Sequence, residues 1–365
     1  MPKTKSAPDI LLIAATVCLL SAGLIMVYSA SAVWAEYNFN DSFFFLKRQL
    51  FFAVLGVAAM LFMMNVDYWT WRRMTKVLVI VCFLLLIIVL IPGVGLVRGG
   101  ARSWLGVGAF SIQPSEFMKM AMIFYLAKFL SEKQKHITTV KHGLIPTLGL
   151  VILAFALIML QPDLGTGMVM VLTGVVMIFT GGARIKHFVF LGLLGLAGLT
   201  GLILSAPYRL QRIVSFLDPW QDPLGSGFQI IQSLYAIGPG GLLGLGLGAS
   251  RQKYFYLPEP QTDFIFAILA EELGFLGGAF VLACFAVLLW RGLRIALYAP
   301  DLYGTFLAVG IIGMIAIQVM INIGVVIGLM PVTGITLPLL SYGGSSLTLM
   351  LTSIGVLLNI SRHMR

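Results

Sequence analysis

The chain has 365 residues, of which 59% are hydrophobic and only 10% charged, and its mean hydropathy is +0.99. Soluble domains are far less apolar, so the composition points to a polytopic membrane protein. The net charge of +10 is spread over short segments between apolar runs, a distribution that follows from membrane topology and argues against a nucleic-acid partner.

The first segment, MPKTKSAPD before an apolar stretch and Ala30-Ser31-Ala32, imitates a secretory signal. The stretch is long and more apolar runs follow, so it reads as an uncleaved first span. Runs of bilayer-crossing length fall near residues 10–33, 48–66, 75–92, 114–130, 143–161, 164–181, 186–205, 263–290, 303–329 and 337–361. The predicted fold class is therefore all-α: ten transmembrane helices in a single membrane domain over residues 1–365, with a large external loop, 206–262, between spans seven and eight. Fifteen basic residues, among them Lys3, Arg72, Arg73, Lys128 and Arg362, fall on one face, against nine on the other. The richer face, which carries both termini, is then cytoplasmic. Cys18, Cys82 and Cys284 each sit inside an apolar run without metal or redox spacing, as small core residues do.

Polar groups at membrane depth are expensive unless paired or hydrated, so they mark candidate sites. Gln113-Pro114-Ser115-Glu116 opens the fourth span, and Lys119 follows Glu116 at the i,i+3 spacing of an ion pair. Gln161-Pro162-Asp163 joins spans five and six, where Asp163 could cap the next helix or line a cavity. In PVTGITLPLLSYGGSS, residues 331–346, prolines and glycines interrupt an apolar pattern. Broken helices persist only against protein or water. Ser341 and Ser345 could therefore offer hydroxyls to a bound head group, or the small residues could serve close helix packing.

The interval from Pro207 to Asp263 is the most charged between spans, and it ends in YLPEPQTDFIF. Arg209 and Arg212 would share one side of a helix there. From Phe228 an amphipathic stretch with Ile230, Ile231, Leu234 and Tyr235 at helical spacing would lie on the membrane surface. Gly244, Gly246 and Gly248 lack the strand–helix context of a dinucleotide fingerprint, and the chain has no GxxxxGK[ST] loop and no HExxH pair, so no nucleotide is expected. His136, His142, His187 and His363 all fall on the cytoplasmic side. That leaves a carboxylate as the external general base.

YLPEPQTDFIFAILAEELG, QPSEFMKMA, QPDLGT, GSGFQIIQSLYAIGPGG and PVTGITLPLLSYGGSS resemble the signature segments of the SEDS family, the shape, elongation, division and sporulation proteins. The likeness runs from MVYSASAVWA to NISR and is greatest to the sporulation and division (SpoVE/FtsW) branch of a spore-forming bacterium. It implies a ten-span peptidoglycan glycosyltransferase that polymerises lipid II on the outer face of the cytoplasmic membrane with a class B penicillin-binding protein. By motif, the family's essential aspartate falls on Asp263 and its important lysine on Lys119, while arginines of the GARSW and YRxxR segments fall on Arg102, Arg209 and Arg212. Some division members carry a glutamate where this chain has Phe255 within KYFYLPE, so any role of that acid is absent here or passes to Glu259. In this reading Asp263 is the base. Arg102, Lys119, Arg209 and Arg212 bear the charge of a departing pyrophosphate, with Glu116, Ser341 and Ser345 among the substrate-facing groups. A divalent cation, Mg or Mn, could share that task, although no ligand cluster is legible. Two other classes stay open: a transporter that flips lipid-linked precursor, and a scaffold that recruits a transpeptidase.

Overall fold

Asp9 opens the first helix, its carboxylate accepting from the Leu12 amide at 3.0 Å. The computed structural model describes residues 6–364 apart from 99, 108, 109, 205 and 206. Its helices are α1 Ile10–Phe39, α2 Phe44–Asn65, α3 Trp69–Leu90, α4 Pro114–Lys133, α5 Ile145–Met159, α6 Leu164–Thr180, α7 Ile185–Leu204, α8 Pro207–Leu217, α9 Phe228–Gly240, α10 Ile265–Leu297, α11 Leu302–Val326 and α12 Gly344–Ser361. Six of them, α1, α2, α3, α10, α11 and α12, are long and apolar enough to cross a membrane. Helices also occupy the four remaining predicted spans, with physical differences. Charged Glu116, Lys119, Lys128, Glu132 and Lys133 interrupt α4, and α5 and α6 have only 15 and 17 residues. In α7, several side chains lie outside the described residues.

Apolar side chains cover the outside of the bundle as well as its core. Val54 and Phe62 on α2 and Val77 and Ile80 on α3 are exposed, while α11 and α12 are buried along most of their length. A helix bundle that is apolar outside and inside has lipid as its solvent. Ser6 donates its amide to the Arg362 carbonyl at 3.0 Å, and Arg291 pairs with Asp9. The described ends of the chain therefore meet at one end of the bundle.

The all-α expectation needs one correction. Strands β1 Leu96–Arg98, β2 Ala101–Val107 and β3 Phe110–Ile112 form an antiparallel sheet in the order β1-β2-β3, with Val97 opposite Arg102 and Leu105 opposite Ile112. Two of the three strands have only three residues, too few to show alternation in sequence.

The external loop holds a second correction. Helix α9 forms where the periodicity placed it, and Leu234 and Tyr235 are exposed, but Ile230 and Ile231 are buried in protein rather than offered to a bilayer surface. Ser233 donates to the Val326 carbonyl of α11 at 2.7 Å. Past α9 the chain turns into α10 at its kink, Gly274, whose φ of 66° lies in the left-handed region that favours glycine. The Leu245 and Gly246 amides donate to the carbonyls of Glu271 and Glu272 at 3.0 Å each, and those of Phe275 and Leu276 to the carbonyls of Gly241 and Leu242. The broken helix thus recovers backbone bonds from the loop.

Candidate functional site

Four interrupted segments meet at the end of the bundle away from the chain termini: the starts of α4, α6 and α10, and the irregular run from Pro331 to Gly343. Gln113 precedes α4, and its side chain donates to Asp163 Oδ2 at 2.8 Å. Asp163 caps α6 through the Thr166 amide at 3.1 Å, so the capping reading of this residue is correct. Burial pushes its carboxyl above the usual carboxylate range; the Thr166 hydrogen bonds oppose this, the charge of Glu116 adds to it, and Lys119 opposes it. Glu116 and Lys119 form the expected pair at 2.7 Å, both buried. Glu116 Oε2 is buried without a hydrogen-bond partner.

The irregular run is stitched into these helix starts from several sides. Gly165 leaves room for the Thr333 carbonyl, which a Cβ there would approach to 2.6 Å. One residue on, a Cβ built on Gly334 would stand 3.7 Å from the Asp263 carboxylate. A single dipeptide, Thr333-Gly334, therefore spans from the α6 start to Asp263. Asn322 of α11 donates to the carbonyls of both Asp263 and Ile335 at 2.8 Å, and Gln49 of α2 holds the Ser341 carbonyl at 3.0 Å and the Gly343 amide at 3.3 Å.

The predicted site residues fall as follows. Asp263 is half-buried, two residues before α10. The N-cap position itself belongs to Phe264, which makes no side-chain capping bond. Ser341 is buried, accepting from the Leu337 amide at 2.8 Å and donating to the Thr262 carbonyl at 2.6 Å. Ser345 accepts from the Gln113 amide at 3.2 Å and donates to the Ser111 carbonyl at 3.4 Å. Both hydroxyls are engaged within the protein: Ser341 ties the broken run to the segment just before α10, and Ser345 ties the start of α12 to the sheet. Arg102 sits on β2, its stem over Gly95 beyond the end of α3. Arg209 and Arg212 lie on α8, and their side chains lie outside the described residues. Among the described residues, no three His, Cys, Asp or Glu side chains gather to hold a metal ion.

Sequence reasoning missed a buried ionic knot behind Asp263. Glu271 and Glu272 of α10 are 1% and 0% exposed. Glu272 accepts from both Ser29 Oγ and the Ser250 amide, and pairs with Lys253 at 3.1 Å. Glu271 accepts from Ser250 Oγ at 2.5 Å and the Arg251 amide at 2.8 Å. The signal was present: two adjacent acids inside the apolar run FAILAEELGFL need partners.

Residues 10–365 match the cell cycle protein family FtsW/RodA/SpoVE. The chain belongs to this family. Among FtsW/RodA/SpoVE proteins, it is 73% identical to stage V sporulation protein E of Bacillus subtilis over the full length of both. It is 44% identical to the probable peptidoglycan glycosyltransferase FtsW of Trichlorobacter lovleyi, over 98% of this chain and 94% of that one. Among solved structures, a chain from a work on polymerization and crosslinking by a peptidoglycan synthase complex superposes with a TM-score of 0.80 at 34% identity, covering 98% of each chain. RodA of Thermus thermophilus gives 0.73 at 30%, covering 98% of this chain and 97% of that one.

Proposed function

We propose that this FtsW/RodA/SpoVE protein is a peptidoglycan glycosyltransferase that polymerises lipid II on the outer face of the bacterial cytoplasmic membrane, for division or spore cortex. The observation that carries the reading is the gathering of four interrupted segments around one half-buried carboxylate, Asp263, with a buried cation, Lys119, on an adjoining helix start. In the same reading α1 to α7 and α10 to α12 make ten spans, residues 206–262 lie outside, and both termini are cytoplasmic.

The chemistry follows from the groups. Asp263 takes the proton of the acceptor sugar's 4-hydroxyl as its oxygen attacks the anomeric carbon of the donor. The bond from that carbon to the pyrophosphate oxygen breaks, and the electron pair leaves with the lipid pyrophosphate. Arg102, Arg209, Arg212 and Lys119 are assigned to the charge that develops there. Glu116 holds Lys119 in place at 2.7 Å, and Ser341 and Ser345 fix the backbone around the sugars. A divalent cation, Mg or Mn, would come with the pyrophosphate, since such ions bind through substrate phosphates and one or two carboxylates. A class B penicillin-binding protein is the expected partner for crosslinking, a role in line with the synthase complex that the superposed chain comes from.

Purified protein in vesicles with labelled lipid II tests the assignment. Asp263→Asn keeps the shape but cannot accept the proton, so glycan synthesis should fall by about 100-fold or more with insertion unchanged. Native-rate polymerisation by that variant would remove Asp263 as base. Lipid II crossing the wild-type membrane with no glycan made would replace the transferase by a flippase.

A further inference from the structure

At the bundle end that carries the chain termini, a cavity of about 410 Å³ opens between the start of α3 and the end of α4, lined by Trp69, Arg72, Arg73, Lys128 and Glu132. Its walls are held. Trp69 Nε1 donates to Asp301 Oδ2 at 2.7 Å, and Tyr68 Oη to the same oxygen at 2.6 Å. Asp301 also caps α11 through the Gly304 amide, so its charge is turned to these donors. Arg72 pairs with Glu132 at 3.1 Å, and Lys128 Nζ donates to the Arg72 carbonyl at 3.2 Å. Arg73 is exposed. Three cations thus face one carboxylate, and a guanidinium pair with an ammonium suits a phosphate.

The cavity does not stand alone. From Arg73, α3 exposes Val77, Ile80, Leu84 and Ile87, alternately three and four residues apart, which is one continuous apolar strip down the helix, and Ile91, just past its end, is exposed too. A basic pocket at the membrane surface that leads into such a strip matches both parts of one molecule, an anionic head group and its acyl chains. We propose that this cavity binds the phosphate of an anionic phospholipid, whose chains lie along α3. Its place in the cytoplasmic leaflet rests on the proposed topology, whereas the binding itself depends neither on that topology nor on the transferase reading.

The test reads bound lipid, not activity. The full chain in detergent is offered phosphatidylglycerol or phosphatidylcholine with the same acyl chains, and adducts are counted by native mass spectrometry. Phosphatidylglycerol should be retained in preference. Arg73→Gln should weaken it by about fivefold and Arg73→Gln with Lys128→Gln by about 25-fold. Arg294→Gln, which removes an exposed cation beside Trp290 and Tyr298 on α10, should leave it unchanged. Equal retention of the two lipids, or an equal loss in the Arg294 variant, would overturn the site. Displacement of phosphatidylglycerol by millimolar inorganic phosphate would make this a site for the free anion and overturn the lipid assignment.

Discussion

Replacing Lys253 by methionine should loosen the end of the bundle that carries Asp263. Lys253 Nζ donates to Glu272 Oε1 at 3.1 Å and to the Gly248 carbonyl at 2.5 Å, while Glu272 is 0% exposed. Without the ammonium, Glu272 keeps Ser29 Oγ and the Ser250 amide but no cation. Stranding one member of a buried pair costs about 3–5 kcal/mol. Two surviving donors and a methionine that refills the lysine stem place this case near the lower end. A loss of about 3 kcal/mol is more than about a hundredfold in the unfolding equilibrium. Glu272→Gln in the same chain removes the stranded charge, so the double variant should regain about half of the loss or more. Denaturant titration of the detergent-solubilised chains, followed by near-ultraviolet circular dichroism, measures both. Glycan synthesis should fall in the single variant and return in the double. A single variant within about 0.5 kcal/mol of wild type, or a double variant no better than the single, would show that the knot does not hold the loop to α10.

The carboxyl of Asp163, raised chiefly by burial, gives a pH dependence of definite sign. Its folded-state value lies above the unfolded one, so the native state holds the extra proton. Stability should fall as pH rises from the ordinary carboxylate range through the raised value, and level off above it. Thermal inactivation midpoints from pH 4 to 8 should show that slope in the wild type and a flatter line in Asp163→Asn; equal slopes would assign it elsewhere. Topology is tested by single cysteines at Ser226, which is exposed beyond α8, and at Lys135, which is exposed after α4. An impermeant thiol reagent added to intact cells should label the first and spare the second, and the reverse pattern would place the Asp263 end of the bundle in the cytoplasm.

The sequence alone determined the class and most of the helices. Apolar runs bounded by charge and by Pro or Gly record local hydropathy, and local hydropathy decides where a chain can enter lipid. The Glu116–Lys119 pair and the Asp163 cap were legible for the same reason: both are contacts within one helical turn. Strands β1 and β3 were not, since three residues carry no readable period. Nor was the burial of Ile230 and Ile231, because an amphipathic pattern says that one face is covered but not whether lipid or α11 covers it. Only the tertiary structure decided that Thr333-Gly334 lies between the start of α6 and Asp263, that Gln49 and Asn322 hold the broken run, and that Glu272 meets both Ser29 and Lys253. Glu272 and Ser29 are 243 residues apart. Such contacts depend on which helices pack together, a choice set by the shape of whole faces rather than by any short segment.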